Sequence, residues 1–270
     1  MDSKTILITG STDGIGLETA KQLTEKRHNV ILHGRSQKRI KEAESAIYKT
    51  TKQKVYDAVQ ADFANLKEIQ QMAQHLTNTY SSIDVLINNA GVFIKDKEYT
   101  NDGLEQTFAV NHIAHFLLTM ELLPLLKQSG QGRIVVVSSM IHANDIDFSN
   151  LQGENYYDGN EAYSRSKLAN LLFAKALSRR LEDNKITVNA LHPGVINTKL
   201  LKASFGPFGN NVSEGAKNLI FAALDPSLNK TSGKYLKDSR ITEPAKIAMD
   251  QDKQEKLWEI SETILQKHLK

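Results

Sequence analysis

Thr9-Gly10-Ser11-Thr12-Asp13-Gly14-Ile15-Gly16 is the stretch from which the architecture can be read. It follows the apolar run Thr5–Thr9 and opens an amphipathic segment, Gly14–Lys26, so its glycines fall where a strand hands over to a helix. Glycine there permits a tight turn, lets the backbone approach a pyrophosphate and brings helix close to strand. The helix N-terminus then offers unpaired amides and the positive end of its dipole to a phosphate. The spacing is not G-x-G-x-x-G, and glycines also occupy such turns for structural reasons alone. Two rival readings fail on composition. Gly10 to Gly14 has the frame of a nucleophile elbow, but Thr12 stands at its centre. Neither this turn nor Ser232-Gly233-Lys234-Tyr235 supplies the Gly-Lys-Ser/Thr of a Walker loop.

Outward from this turn, short β-branched runs alternate with longer amphipathic ones. The strands predicted are Thr5–Thr9, Asn29–Gly34, Lys54–Ala61, Ile83–Asn88, Arg133–Ser138, Ile186–His192 and Lys234–Leu236. The helices predicted are Gly14–Lys26, Gln37–Thr50, Leu66–Tyr80, Leu104–Leu126, Glu161–Glu182 and Ser213–Ala223, with another near the C-terminus. Continuous apolar runs such as Ile134–Val137 suit central strands of a parallel sheet covered on both faces. The alternation predicts an α/β fold with a doubly wound, mostly parallel sheet. Nothing resembles a linker or a repeat, so residues 1–270 read as one domain. Two irregular stretches, Ile141–Asn160 and Gly194–Val212, exceed ordinary connections and are expected to serve the substrate.

Composition narrows the function classes. The chain has 270 residues, 40% of them hydrophobic and 24% charged, ordinary values for a globular domain with a sizeable core. With no cysteine there is no disulfide scaffold, thiol nucleophile or Cys-ligated zinc, and a reducing, cytoplasmic setting fits. A net charge of +3 on scattered basic residues does not point to nucleic acid. The residues before the first strand show no basic n-region or long apolar h-region, so no secretory signal is expected, and no stretch reaches the roughly 20 apolar residues of a membrane span.

Gly34-Arg35-Ser36 ends the second strand, where dinucleotide folds hold the adenosine ribose. An acidic residue there would repel a 2′-phosphate; Arg35, with Lys38 and Arg39 nearby, favours NADP(H). Asp13 runs against this reading, since a carboxylate close to that phosphate does not help. Farther on, Tyr163-Ser164-Arg165-Ser166-Lys167 puts a phenol and an ammonium on one helix face. A free tyrosine titrates near ~10, and a neighbouring cation lowers that value towards useful acid/base chemistry. Such pairs are common on helix surfaces, and this one gains force from its company.

Thr9–Gly16, Asn88-Asn89-Ala90-Gly91, Asn111, Ser139, Tyr163 with Lys167, and Pro193-Gly194 occur in the order and contexts of the short-chain dehydrogenase/reductase family, which the chain resembles over nearly its whole length. The resemblance implies a Rossmann-type fold and hydride transfer between a nicotinamide and a carbonyl or alcohol substrate. It makes Tyr163 the general acid/base, with Lys167 lowering its pKa and binding the nicotinamide ribose. Ser139, rather than Ser138, would hold the substrate oxygen, and Asn111 would hold a water of the proton relay. Cofactor contacts would come from Gly10, Ser11, Thr12, Asp13, Gly14, Ile15, Gly16 and Arg35. Asp62 would contact the adenine, and Asn88, Ala90 and Gly91 would lie along the cofactor. Pro193, Gly194, Val195 and Thr198 would position the carboxamide.

Asn111-His112-Ile113-Ala114-His115-Phe116, Ser166-Lys167-Leu168-Ala169-Asn170 and Ser232-Gly233-Lys234-Tyr235 resemble the retinol-dehydrogenase-like branch. A lipophilic aldehyde or ketone, retinoid or not, is the substrate class implied. His112 and His115 have no third ligand in view and read as structural, so no metal is expected. The family often pairs its two long helices, here Leu104–Leu126 and Glu161–Glu182, into homo-oligomers. Gly194–Val212, with Leu200, Leu201, Phe205 and Phe208 interrupted by Gly206, Pro207 and Gly209, is expected to be a lid. Met140, Ile141 and His142 would form the opposite wall. Two alternatives stand beside the enzyme: a cofactor-binding sensor without turnover, and a sugar-nucleotide epimerase, which usually needs a larger C-terminal region.

Overall fold

Runs of β-branched and aliphatic residues become strands, and their burial follows the sheet's two faces. In a computed structural model describing residues 2–182, 185–204, 206 and 208–269, eight strands form one sheet. They are β1 (Thr5–Ile8), β2 (Asn29–Gly34), β3 (Asp57–Gln60), β4 (Val85–Asn88), β5 (Gly132–Val137), β6 (Ile186–His192), β7 (Tyr235–Lys237) and β8 (Arg240–Thr242). Their order is β3-β2-β1-β4-β5-β6-β7-β8, parallel up to β7. Side chains alternate between two cores: Leu7 faces one, Ile6 and Ile8 the other. Helices α1 (Gly14–Glu25), α2 (Gln37–Thr51) and α8 (Val212–Leu224) cover the second core. The first is covered by α3 (Leu66–Thr79), α5 (Ala114–Gln128), α6 (Gly159–Arg180) and α9 (Gln251–His268).

Several boundaries depart from the sequence reading. Lys54–Ala61 narrows to β3, whose exposed position at the sheet edge leaves Tyr56 half in solvent. The antiparallel β8 was not expected. Its hairpin turns on Asp238 and Ser239, both at positive φ (51° and 54°), and the absence of glycine there hides the turn. The long apolar helix starts at α4 (Gln106–Phe108), capped by Glu105, and passes through a π-helical turn, Ala109–Ile113, into α5. Gln106–Gln128 is thus one helix of 23 residues, apolar enough by length and composition to span a membrane. Its scattered polar residues kept it below the count made on the sequence. Inside the fold 78% of its most apolar window is buried, as in a core helix.

α9 lies across α6. Trp258 meets Phe116 edge-on at 4.8 Å and stacks at 6.1 Å on Phe173, and the Arg180 guanidinium sits 3.9 Å above the indole. Glu255 pairs with Arg179 at 2.6 Å and with Arg180, and Ser261 Oγ meets His112 Nε2 at 2.9 Å. The outward face of α6, which the family resemblance offers for pairing, is therefore covered from within the chain.

Candidate active site

β1 and β4 are neighbours in the sheet, while β2 and β5 lie to either side of them, so the strand order reverses between β1 and β4. Ligands of open α/β sheets bind beyond the carboxyl ends of strands at such a point. A cleft of about 510 Å³ opens there, lined by the glycine turn, Arg35, Asp62, Asn89–Val92, Ser138–Ile141, Tyr163, Lys167 and Pro193–Ile196. Thr198, Leu200, Leu201 and Phe208 close one side.

The glycine turn is shaped for close approach. Gly10 holds φ +63°, and a Cβ there would lie 2.9 Å from Ala90 Cα. A Cβ on Gly16 would stand 2.4 Å from Gly10 O, so the helix packs on the turn only because residue 16 has no side chain. Beneath the turn, His33 Nδ1 accepts from Gly10 N at 3.0 Å, and its Nε2 lies 3.0 Å from Ala61 O. Burial holds this imidazole neutral, with its pKa pushed down to about 4. Arg35 is exposed at the cleft rim and has no ion-pair or hydrogen-bond partner among the described residues. This turn, helix end and basic rim fit a phosphorylated dinucleotide.

Asp13 does not sit there as a free charge. It caps α1 by accepting from Gly14 N at 2.8 Å, and Lys199 Nζ lies 2.6 Å from its other oxygen. Partial burial pushes its carboxyl up, but the bonds from Lys199 and Gly14 outweigh this and hold it below the ordinary value. The carboxylate that the sequence sets against a phosphate is thus already neutralised, by a residue 186 positions away.

Tyr163 and Lys167 face the cleft from α6, which begins at Gly159 under an Asp158 cap. Tyr163 is 7% exposed, and burial pushes its phenol up to about 12 against a hydrogen bond with Ser139 that pulls it down. Lys167 is the cation that the family resemblance sets beside this phenol. Its Nζ lies 5.6 Å from the ring centroid and donates to Val137 O at 3.2 Å, and burial brings the ammonium itself down to about 8. The Ser138 hydroxyl is spent on Lys167 O at 2.7 Å, which leaves Ser139 as the serine able to meet a substrate. Two unforeseen residues fix its loop: Tyr235 donates to Ser139 O at 3.1 Å, and His192 Nδ1 accepts from Met140 N at 3.2 Å.

Four expected residues sit elsewhere. Ser11 is wholly buried, its hydroxyl accepting from His33 N at 2.9 Å, and it supports the turn from behind. Asn88 points inward at the end of β4 and donates to Thr119 Oγ1 at 2.8 Å; Asn89, one residue on, lines the cleft and donates to Thr9 O. β4 ends at Asn88, so its side chain is packed into the fold while Asn89, just past the strand, reaches the cleft. Asn111 is fully buried in the π turn. Its amide accepts from Val92 N (2.8 Å) and donates to Val92 O (3.0 Å) and Ser166 Oγ (2.9 Å), so no side-chain hydrogen is left for a water. His142 packs against Tyr235 outside the cleft, whereas Met140 and Ile141 line it. Phe205 and Pro207 lie outside the described residues. His112 and His115 are buried, and no cluster of three potential metal ligands occurs among the described residues.

Comparison with known proteins accords with this geometry. The short chain dehydrogenase family model matches residues 4–206. Retinol dehydrogenase 14 of Homo sapiens is 39% identical over 292 residues, covering 98% of this chain and 87% of that protein. A crystal structure of an uncharacterised protein from Mycobacterium Paratuberculosis superposes with a TM-score of 0.80 at 29% identity, over 97% of this chain and 93% of that one. A chain assigned as an NAD(P) dependent gluconate 5-dehydrogenase from Beutenbergia cavernae, crystallised with NADP at low occupancy, gives 0.72 at 25%, over 88% and 96%. The chain belongs to the short chain dehydrogenase family of oxidoreductases, in its retinol-dehydrogenase-like part.

Proposed function

We propose that this protein moves a hydride between NADP(H) and the carbonyl or alcohol carbon of a lipophilic small molecule, with Tyr163 as acid/base. The observation that carries this is the buried Tyr163, which lines with Ser139 and Lys167 a cleft whose rim carries Arg35. Bound nicotinamide supplies the hydride; the chain supplies geometry and the proton. Burial keeps the phenol protonated at neutral pH, so it is ready to donate to the oxygen of a carbonyl undergoing reduction. Ser139 holds that oxygen, and Lys167, close to Gly91 on the cleft wall, binds the ribose. Gly10–Gly16 seat the pyrophosphate, and Arg35 receives the 2′-phosphate with a planar set of donors. The NADP recorded in the Beutenbergia cavernae relative supports the cofactor choice. Met140, Ile141, Leu200, Leu201 and Phe208 give the outer cleft an apolar character suited to a lipophilic substrate.

The test is NADPH consumption against a panel of short, aromatic and long-chain aldehydes and ketones. Turnover that improves with chain length is expected. NADPH binding with no consumption against any member would favour a cofactor-binding sensor instead.

A further inference from the structure

One buried ring joins the two walls of the cleft. His115 Nδ1 lies 3.1 Å from the main-chain oxygen of Asn111, and its Nε2 lies 3.2 Å from Thr9 Oγ1. A carbonyl can only accept, so Nδ1 carries the hydrogen and Nε2 of the neutral ring accepts. The Thr9 hydroxyl has one hydrogen and two acceptors in reach, Ile87 O at 3.3 Å and this Nε2 at 3.2 Å; the nearer Nε2 takes it, and the hydroxyl's lone pairs take the amides of Asn89 (2.8 Å) and Ala90 (2.9 Å). On the other side, the Asn111 amide grips Val92 and Ser166, and Ser166 Oγ donates to Tyr163 O at 2.7 Å. The ring is wholly buried and meets Phe63 edge-on at 5.5 Å; Phe63 stacks at 4.3 Å on His33, which holds Gly10 N. Both ring nitrogens are therefore used. One faces the strand ends that carry the cofactor turn, the other the π turn behind Tyr163 and Lys167.

We propose that His115 is a positioning residue that sets the cofactor turn against the catalytic helix. It touches neither substrate nor cofactor and acts through Thr9 and Asn111. A ring that filled space alone would need no particular tautomer and could be replaced by another aromatic. A tether needs both nitrogens: the Nδ1 bond to Asn111 O, four residues back on the same helix, fixes the ring's orientation and tautomer, and the Nε2 bond reaches across to Thr9. This inference rests on the hydride transfer proposed above.

Three variants separate the two bonds. Asparagine places an amide near the position of Nδ1, glutamine near Nε2, and phenylalanine keeps the ring and loses both. His115→Phe is expected to fold, to lose roughly ten- to a hundredfold in kcat and to bind NADPH more weakly in a fluorescence titration. His115→Asn should recover most of kcat, and His115→Gln most of the NADPH affinity. Equal kcat and equal NADPH affinity in all three, or losses that merely follow the melting temperature, would overturn the proposal. Should the variants fail to fold, histidine 15N spectra of the wild type decide. The proposal requires the Nδ1–H tautomer at His115, and an Nε2–H signal refutes it. A wild type that consumes no substrate would strike the proposed function, while the tautomer and NADPH-affinity arms would still judge His115.

Discussion

Arg35 stands at the end of β2 with its guanidinium free among the described residues, and Asp13, the nearby acid, is taken by Lys199. A charge-assisted fork onto a 2′-phosphate is worth a few kcal/mol, so Arg35→Ala should weaken NADPH about 10- to 100-fold and leave NADH nearly unchanged. Calorimetric titration of both cofactors checks this; equal wild-type affinities would remove Arg35 from the site. Lys167 makes the opposite kind of statement. Burial holds its ammonium at about 8 in the folded chain against an ordinary 10.5. Between those values the unfolded chain binds more protons, so stability rises with pH there, and below about 8 the full cost of burying the charge is present. Lys167→Met should therefore abolish turnover yet stabilise the free protein at pH 7 by about 1–2 kcal/mol. That advantage should shrink between pH 8 and pH 10 in melting experiments. A destabilised variant at pH 7 would contradict the account.

The segment between β6 and α8 behaves as an element of its own. Its ends are clamped together: Asn210 N donates to Val195 O at 2.8 Å, and Asn197 N to Asn210 O at 2.9 Å. Between the clamps α7 (Lys199–Ser204) buries none of its residues and is tied to the glycine turn through Lys199 and Asp13. Few buried contacts mean low local stability. Amide exchange across residues 199–204 should be fast in the free protein and slow on adding NADPH, while 195–197 stays protected throughout. Strong protection of α7 without cofactor would make it part of the scaffold. Elements of this kind also mark where the sequence was legible. Ile134–Val137, Ile186–His192 and the glycine turn announce themselves because period, propensity and turn chemistry agree. α7 was read as irregular because its six residues are too short for a helical period to register. β8 was hidden because Asp238 and Ser239 take the positive φ that glycine or asparagine usually signals. Within the site, Tyr163, Lys167 and Ser139 were read from spacing and family resemblance. His33, Tyr235, His192 and Lys199 act on partners far away in the chain, and nothing local betrays them.

The whole molecule brings those distant partners together. Seven parallel strands place the ends of β1, β4, β5 and β6 along one rim, so a turn near residue 10 faces a tyrosine at 163. The same packing seals α6 on its outer side. Trp258 is seated on Phe116 and Phe173, and Glu255 is paired to two arginines, so α9 occupies this side of α6. A dimer through this side of α6 is not expected, because it would require α9 to move; sedimentation of wild type and of a Trp258→Ala variant checks this. The central claim, that this fold assembles a hydride donor, a bound carbonyl and the Tyr163 phenol, is tested most directly by deuteride transfer. NADPH deuterated at the transferable position of its nicotinamide ring is incubated with a long-chain aldehyde and either wild type or Tyr163→Phe, and the alcohol is analysed by mass. The account predicts one deuterium in the wild-type product, a rate about 10²–10⁴-fold lower in the variant, and unchanged NADPH affinity. Equal rates of deuterium incorporation by wild type and Tyr163→Phe would contradict it.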